Sequence, residues 1–381
     1  MRLLWFVFIL LSAWTIGPQI YGASSSGVSQ EEIRIGVALP PAGFSGMDGA
    51  VKALLEAYAM EENTTHGRNL RFVFMETPMD PTKRADSLLQ FLNNTDVFAL
   101  AASFAAGWEK ELADIAKLKK IPVLAAFSTE PQVSQPLNPY VFYMESGMIG
   151  QMRVLARFAS ERLKESKSGM IYLTDAAPLD AMKALEEEHK RLGMSPPTRL
   201  PWMAEEFAGQ YEMLAGAGYD LLYMLTPLQE SLLMLNQDVS AGPYVMGPSR
   251  LAEKRLLATP TSMQVRIVLA TPHAQPSPDS PGVLKWKQMA EKHDLSSAHQ
   301  AAQYSVLASV KLLMEGLELA GNELTQEKLI QALESLNQFE TGLSPPVSYG
   351  PNRRVGVAGS VMISPDSNRM DFRYVSGWID P

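Results

Sequence analysis

Two hydrophobic periods alternate along this chain. Ile33-Arg34-Ile35-Gly36-Val37-Ala38-Leu39 alternates and then becomes continuously apolar, as a strand does on entering a sheet covered on both faces. After a Pro/Gly loop at 40–46, Ala50, Val51, Leu54, Leu55 and Tyr58 recur at helical spacing. The pair of patterns then repeats. Strands at 70–75, 97–102 and 121–126 alternate with helices at 81–92 and 108–119. Such alternation implies βαβ crossovers and a mostly parallel sheet.

A strand at 139–144 leads into a second unit, predicted as helix 150–164, strand 169–174, helix 180–192 and strand 220–225. A helix around 230–235 and strands at 244–246 and 265–270 follow. Pro196, Pro197 and Pro201 make the stretch before 220 read as a link. Segment 271–281 holds four prolines, which forbid a continuous helix or a central strand. Beyond it come helices at 283–292, 296–319 and 325–336, then β-like segments at 360–363 and 372–375. Two doubly wound units with trailing helices do not fit one domain, so the late helices are expected to return to the first lobe.

The N-terminus changes the picture of the compartment. Arg2 precedes an apolar run over 3–14, Gly17 and Pro18 break it, and small residues follow at 22–27. That is the order of a secretory signal peptide, expected over 1–24 with cleavage after Ala23 or Ser24. The run is short for a membrane span. With 0 cysteines, the chain has neither a disulfide framework nor a thiolate nucleophile nor a lipid-modified cysteine. A net charge of −8 offers no basic footprint for nucleic acid, and Lys117, Lys119 and Lys120 read as helix C-terminal charges.

Candidate chemistry is sparse. His293 and His299 miss the spacing that would put both on one helix face, and no metal-ligand, phosphate-loop or dinucleotide motif occurs; no metal or cofactor is expected. Gly43-Phe44-Ser45-Gly46 lacks the spacing of a nucleophile elbow and reads as a strand-to-helix loop. A cleft hydrolase using Ser45 is the weaker alternative. Open α/β sheets bind ligands at the carboxyl ends of their strands. The candidate loops there carry Phe44 and Ser45; Ala105, Ala106, Gly107 and Trp108; Phe127, Ser128 and Thr129; Asp175; Thr226 and Pro227; and Ser249. These loops are expected to line a gap between two parallel sheets with uncharged groups. The hydroxyls of Ser128, Thr129 and Ser249 can equally cap helices.

The order of segments resembles the type I periplasmic binding proteins, in particular the branched-chain amino-acid (Leu/Ile/Val) substrate-binding subunits of ABC transporters. The likeness rests on Ile33-Arg34-Ile35-Gly36-Val37-Ala38, on Asn69-Leu70-Arg71-Phe72-Val73 with Asp80-Pro81, and on Ile121-Pro122-Val123-Leu124 leading to Phe127-Ser128-Thr129-Glu130-Pro131. Tyr219-Asp220, Met246-Gly247-Pro248 and the helix from Tyr304 to Gly316 extend it over nearly the whole mature chain.

The resemblance implies two Rossmann-like α/β lobes with parallel sheets and a three-segment hinge. Lobe 1 would take 31–143 plus 272–364, and lobe 2 would take 144–271 plus 365–381. It implies a monomeric periplasmic protein, not an enzyme, that captures a small molecule and delivers it to a membrane permease. A sensing or accessory role without transport is the alternative. Carried over by position, the Phe127 backbone and Thr129 would contact a ligand's polar head, loop 105–108 would be the other first-lobe contact, and His299 would sit at the cleft edge. Three positions depart from amino-acid binders. Ala105 or Ala106 stands where a serine meets the ligand carboxylate, Leu179 where an aromatic is usual, and Ser249 where an acid pairs the ammonium. A buried ammonium without a counter-charge is costly, so the expected ligand is less charged or more apolar than an α-amino acid, stacked on Trp108 or Phe44.

Overall fold

The computed structural model describes residues 26–43, 46–61, 64–163, 166–174, 177–203, 210–235 and 242–381. The expected signal peptide over 1–24 lies outside the described residues. The first unit runs β1 (Glu32–Leu39), α1 (Met47–Met60), β2 (Thr64–Thr65), β3 (Arg68–Glu76), α2 (Arg84–Asn94), β4 (Ala99–Phe104), α3 (Glu109–Lys119), β5 (Val123–Phe127) and β6 (Val141–Glu145). The second runs α4 (Gly147–Arg162), β7 (Ser168–Leu173), α5 (Leu179–Arg191), β8 (Thr198–Trp202), α6 (Gln210–Gly216), β9 (Leu221–Met224), α7 (Leu228–Leu235), β10 (Tyr244–Pro248), α8 (Thr261–Gln264) and β11 (Ile267–Thr271). Then follow α9 (Pro281–His293), α10 (Gln300–Ala320), α11 (Gln326–Glu334), β12 (Val355–Val357), β13 (Val361–Asp366) and β14 (Asp371–Tyr374).

These strands form two separate sheets, ordered β12-β6-β5-β4-β1-β3-β2 and β14-β13-β11-β10-β9-β7-β8. Pairing is parallel except at the short β2 edge and at the β11-β13-β14 edge. Each sheet is covered on both faces, as its apolar strands require. In β1, Ile33, Ile35, Val37 and Leu39 pack toward α1, α9 and α10, while Ala38 joins the opposite core of α2 and α3. The second sheet is sandwiched likewise between the α4–α5 layer and the α6–α7 layer. The late helices do return to the first lobe, where Val306, Leu307, Val310, Leu313 and Leu317 of α10 are fully enclosed.

The chain crosses between lobes after β6, after β11 and after β12. The last crossing corrects the expected boundaries. β13 pairs antiparallel with β11 in the second sheet, so lobe 1 ends near Val357 and not at 364. The short β12 carried too little pattern to be seen, although it extends the first sheet beside β6. The first crossing falls at Ser146, just beyond the expected 143. The proline-rich link before 220 is also corrected. It contains β8, an edge strand paired only with β7, where Pro201 has no inner ladder position to spoil.

Two backbone irregularities shape the strand ends. Ala102 has φ 50°, and the β4–β5 register shifts around it. This is a bulge of the sort that re-aims the end of a strand, and the Ser309 hydroxyl accepts the Ala102 N–H at 3.1 Å. At the first crossing Gly147 has φ 58°, and a Cβ there would lie 2.2 Å from the Thr129 carbonyl oxygen. Glycine is therefore required twice over, by conformation and by space. Gly147→Ala should cost roughly 1–3 kcal/mol in urea unfolding. Gly193→Ala, with φ 72° but nothing within 4 Å, should cost less; equal costs would show that the approach to Thr129 carries no energy.

Candidate ligand cleft between the lobes

The carboxyl ends of both sheets open on one cleft of about 780 Å³, within the range of small-molecule sites. Phe104, Ala106, Phe127, Ser128, Thr129 and Tyr304 line it from the first lobe. Met148, Gln151, Ser249, Arg250, Ile363 and Phe372 face them from the second, and the hinge adds Glu145, Thr271 and His273. Asp371 and Lys287 also reach the cleft. The expectation of an uncharged lining therefore fails, because the strand-end loops bring charged neighbours of the predicted hydroxyls with them.

Of the predicted site residues, Ala106, Phe127, Ser128, Thr129 and Ser249 come together here. Phe44, Ser45 and Asp175 lie outside the described residues. Ala105 is sealed in the first-lobe core, its N–H bonded to the Phe127 carbonyl at 2.8 Å. Trp108 is also corrected. The residue is 3 % exposed and its indole N–H donates to the Phe104 carbonyl at 3.1 Å, so it is a core residue that does not line the cleft and only borders a separate groove beside α3. Gly107 borders the same groove. Leu179 starts α5 and is 67 % exposed, away from the cleft lining. Thr226 is buried, and its hydroxyl pairs with Ser231 at 2.8 Å inside the second lobe; Pro227 beside it is exposed. His299 occupies the N-cap position of α10, next to the cleft-lining Gln300 and Ala301.

The first-lobe wall is organised by a residue that the sequence pattern did not single out. Glu109, in the first turn of α3, is buried. One carboxylate oxygen accepts the N–H groups of Thr129 and Glu130 and the Thr129 hydroxyl at 3.0 Å, and the other accepts the Gly107 N–H at 2.9 Å. Thr129 is thereby turned inward, its hydroxyl committed to protein. Ser128 next to it has a buried hydroxyl with no partner among the described residues. On the second lobe, Gln151 of α4 plays the equivalent part by accepting the Ser249 N–H at 2.7 Å. Across the first crossing, the Met148 N–H donates to the Thr129 carbonyl at 2.8 Å.

At the hinge, His273 follows β11 and Glu145 ends β6, with Nδ1 2.9 Å from the carboxylate. Desolvation pulls the imidazole pKa down, but the adjacent negative charge and hydrogen bond outweigh it and leave the pKa raised. Arg250 follows β10 and donates to the Leu225 carbonyl at 2.6 Å. Desolvation lowers its pKa, opposed by the charge of Glu130, and a guanidinium remains charged regardless. Arg250 lies one residue beyond Ser249, the hydroxyl that marks this loop in the sequence.

Glu109→Ala would strand several buried donors at once. It should cost at least about 2 kcal/mol in denaturant unfolding, with Glu109→Gln intermediate; no loss would mean that the loops hold themselves. The His273–Glu145 pair should stabilise the fold fully below the ordinary imidazole value near pH 6.5 and lose that contribution as pH rises through the raised folded pKa. The melting-temperature gap between the native protein and His273→Asn should therefore shrink as pH rises above about 6.5. A constant gap would contradict the assignment.

Comparison with solved structures finds the same architecture in several proteins. A fatty-acid ABC transporter substrate-binding protein from Thermomonospora curvata matches with TM-score 0.73 at 18% identity, over 94% of this chain and 95% of that one. A leucine-binding protein from Thermotoga maritima matches with TM-score 0.73 at 18% identity, over 92% and 99%. A branched-chain amino acid ABC transporter protein from Thermus thermophilus, with bound valine, matches with TM-score 0.71 at 13% identity, over 93% and 98%. At these identities the likeness establishes the fold. A comparison with curated protein sequences finds no match. The periplasmic binding protein family model matches residues 32–363. With nearly all of the described chain inside that match, and two parallel sheets facing one cleft, the chain belongs to the periplasmic binding protein family.

Proposed function

We propose that this protein captures a small organic solute by closing its lobes and presents it to the membrane permease of an ABC transporter, and that the solute is not a standard α-amino acid. The observation that carries the reading is the cleft of about 780 Å³ lined from both lobes and from the hinge. A ligand touching both walls favours the closed state by its differential affinity, and a permease that recognises that state can read occupancy. The family assignment supports solute binding without catalysis. Among the described residues no helix is long and apolar enough to cross a membrane. The N-terminal pattern supports export to the extracytoplasmic side, and the family likeness supports a monomer.

The departure from amino-acid binding rests on Ala106 and Ser249. Ala106 faces the cleft with no hydroxyl to offer a carboxylate. Ser249, where an acid would meet an ammonium, brings no charge, and its N–H is taken by Gln151. Native mass spectrometry of the freshly purified protein should find a retained small molecule, and calorimetric titration with leucine and glutamate should give no saturable heat. Tight binding of either amino acid would refute the exclusion; the absence of any retained or binding solute would count against the receptor reading itself.

A further inference from the structure

Where a charge balance for an amino acid would put an acid, this cleft has a cation next door. Arg250 sits one residue beyond Ser249 and lines the cleft. Its position is fixed by the bond from Nη2 to the Leu225 carbonyl. Its Nε is enclosed with no partner among the described residues. The carboxylate that bears on it, Glu130, acts through space without a hydrogen bond. Across the cleft the enclosed Ser128 hydroxyl likewise lacks a partner, because Glu109 has claimed Thr129 and not its neighbour. One cleft-lining residue on each wall thus carries an enclosed donor that no described group satisfies, and such donors call for an acceptor. A planar guanidinium favours a carboxylate.

The acids near the cleft do not offset this preference. Glu145 is engaged by His273 at 2.9 Å. Asp371 accepts the Phe372 N–H at the β14 edge. Glu130 is exposed and borders the separate groove beside α3, not the cleft. Among the described residues none of them forms an ion pair with Arg250, whereas Phe127, Met148 and Tyr304 offer apolar walls.

Resting on the solute-receptor reading, we infer that the ligand is an organic carboxylate without an α-ammonium, its acid group held by Arg250 with Ser128 on the facing wall. Arg250 is then the specificity-determining residue, and the charge preference of the cleft is inverted relative to an amino-acid receptor.

The test is calorimetry with hexanoate and phenylacetate against hexanamide and phenylacetamide, on the full chain and on Arg250→Lys, Arg250→Gln and Glu130→Gln. Each acid should bind the native protein at least about tenfold more tightly than its amide. Arg250→Gln should bring the ratio close to one, Arg250→Lys should keep part of it, and Glu130→Gln should leave it unchanged or raise it. Amides binding as well as acids, a ratio that survives Arg250→Gln, or no binding by any of the four probes would overturn the inference. So would Glu130→Gln reproducing the loss, which would make Arg250 a latch between lobes. In each case a solute retained in native mass spectrometry or bound in the calorimeter would leave the receptor reading standing, and only the absence of both would remove it as well.

Discussion

Each of the two parallel sheets must be covered on both faces, and a single chain can meet that demand twice only by passing between the lobes. It does so after β6, after β11 and after β12. The first two crossings follow from sequential βαβ winding, and the third lets the β13–β14 hairpin close the edge of the second sheet. Because cores form on both faces of each sheet, the lobes are separately cored. The space between them is left for a ligand. Parallel strands running the same way in each lobe bring their carboxyl ends to that space, and every cleft group on a strand-end loop owes its position to that arrangement.

Within the cleft, polar satisfaction decides which groups face a ligand. Glu109 lies in the first turn of a helix, a position where a carboxylate is electrostatically favoured. From there it gathers donors from two neighbouring loops. Thr129 becomes part of the framework, and Ser128 is the neighbour left without a partner among the described residues. Gln151 does the corresponding work for the Ser249 loop from the other lobe. The hinge is polar as well: His273 and Glu145 belong to two different crossings and meet at 2.9 Å, joining them by a charge-assisted contact.

Two comparisons show where pattern reading succeeds and where it stops. The α10 helix was legible because its apolar positions recur over a long stretch and all point into one core. The β8 strand was not, since Pro201 argues against a ladder everywhere except at an edge, and edge position is a property of the sheet. Trp108 shows the same limit at the site. Its place beside a glycine at a strand end suits a stacking platform, yet a hydrogen bond to Phe104 holds the ring in the core. Arg250 is one residue beyond a predicted loop, and only the folded cleft shows it as a lining group with an enclosed, unmet Nε.

By itself the sequence determined the two α/β lobes, the return of the late helices to the first lobe, and the strand-end loops that meet between them. Those features follow from local periodicity and from prolines, which act over a few residues. Tertiary structure decided the third crossing, the inward turn of Thr129, the burial of Trp108 and the charge on the cleft walls. Each depends on which distant segment supplies a hydrogen-bond acceptor or a neighbouring strand, and such partners are set by packing and leave no mark on the spacing of residues along the chain.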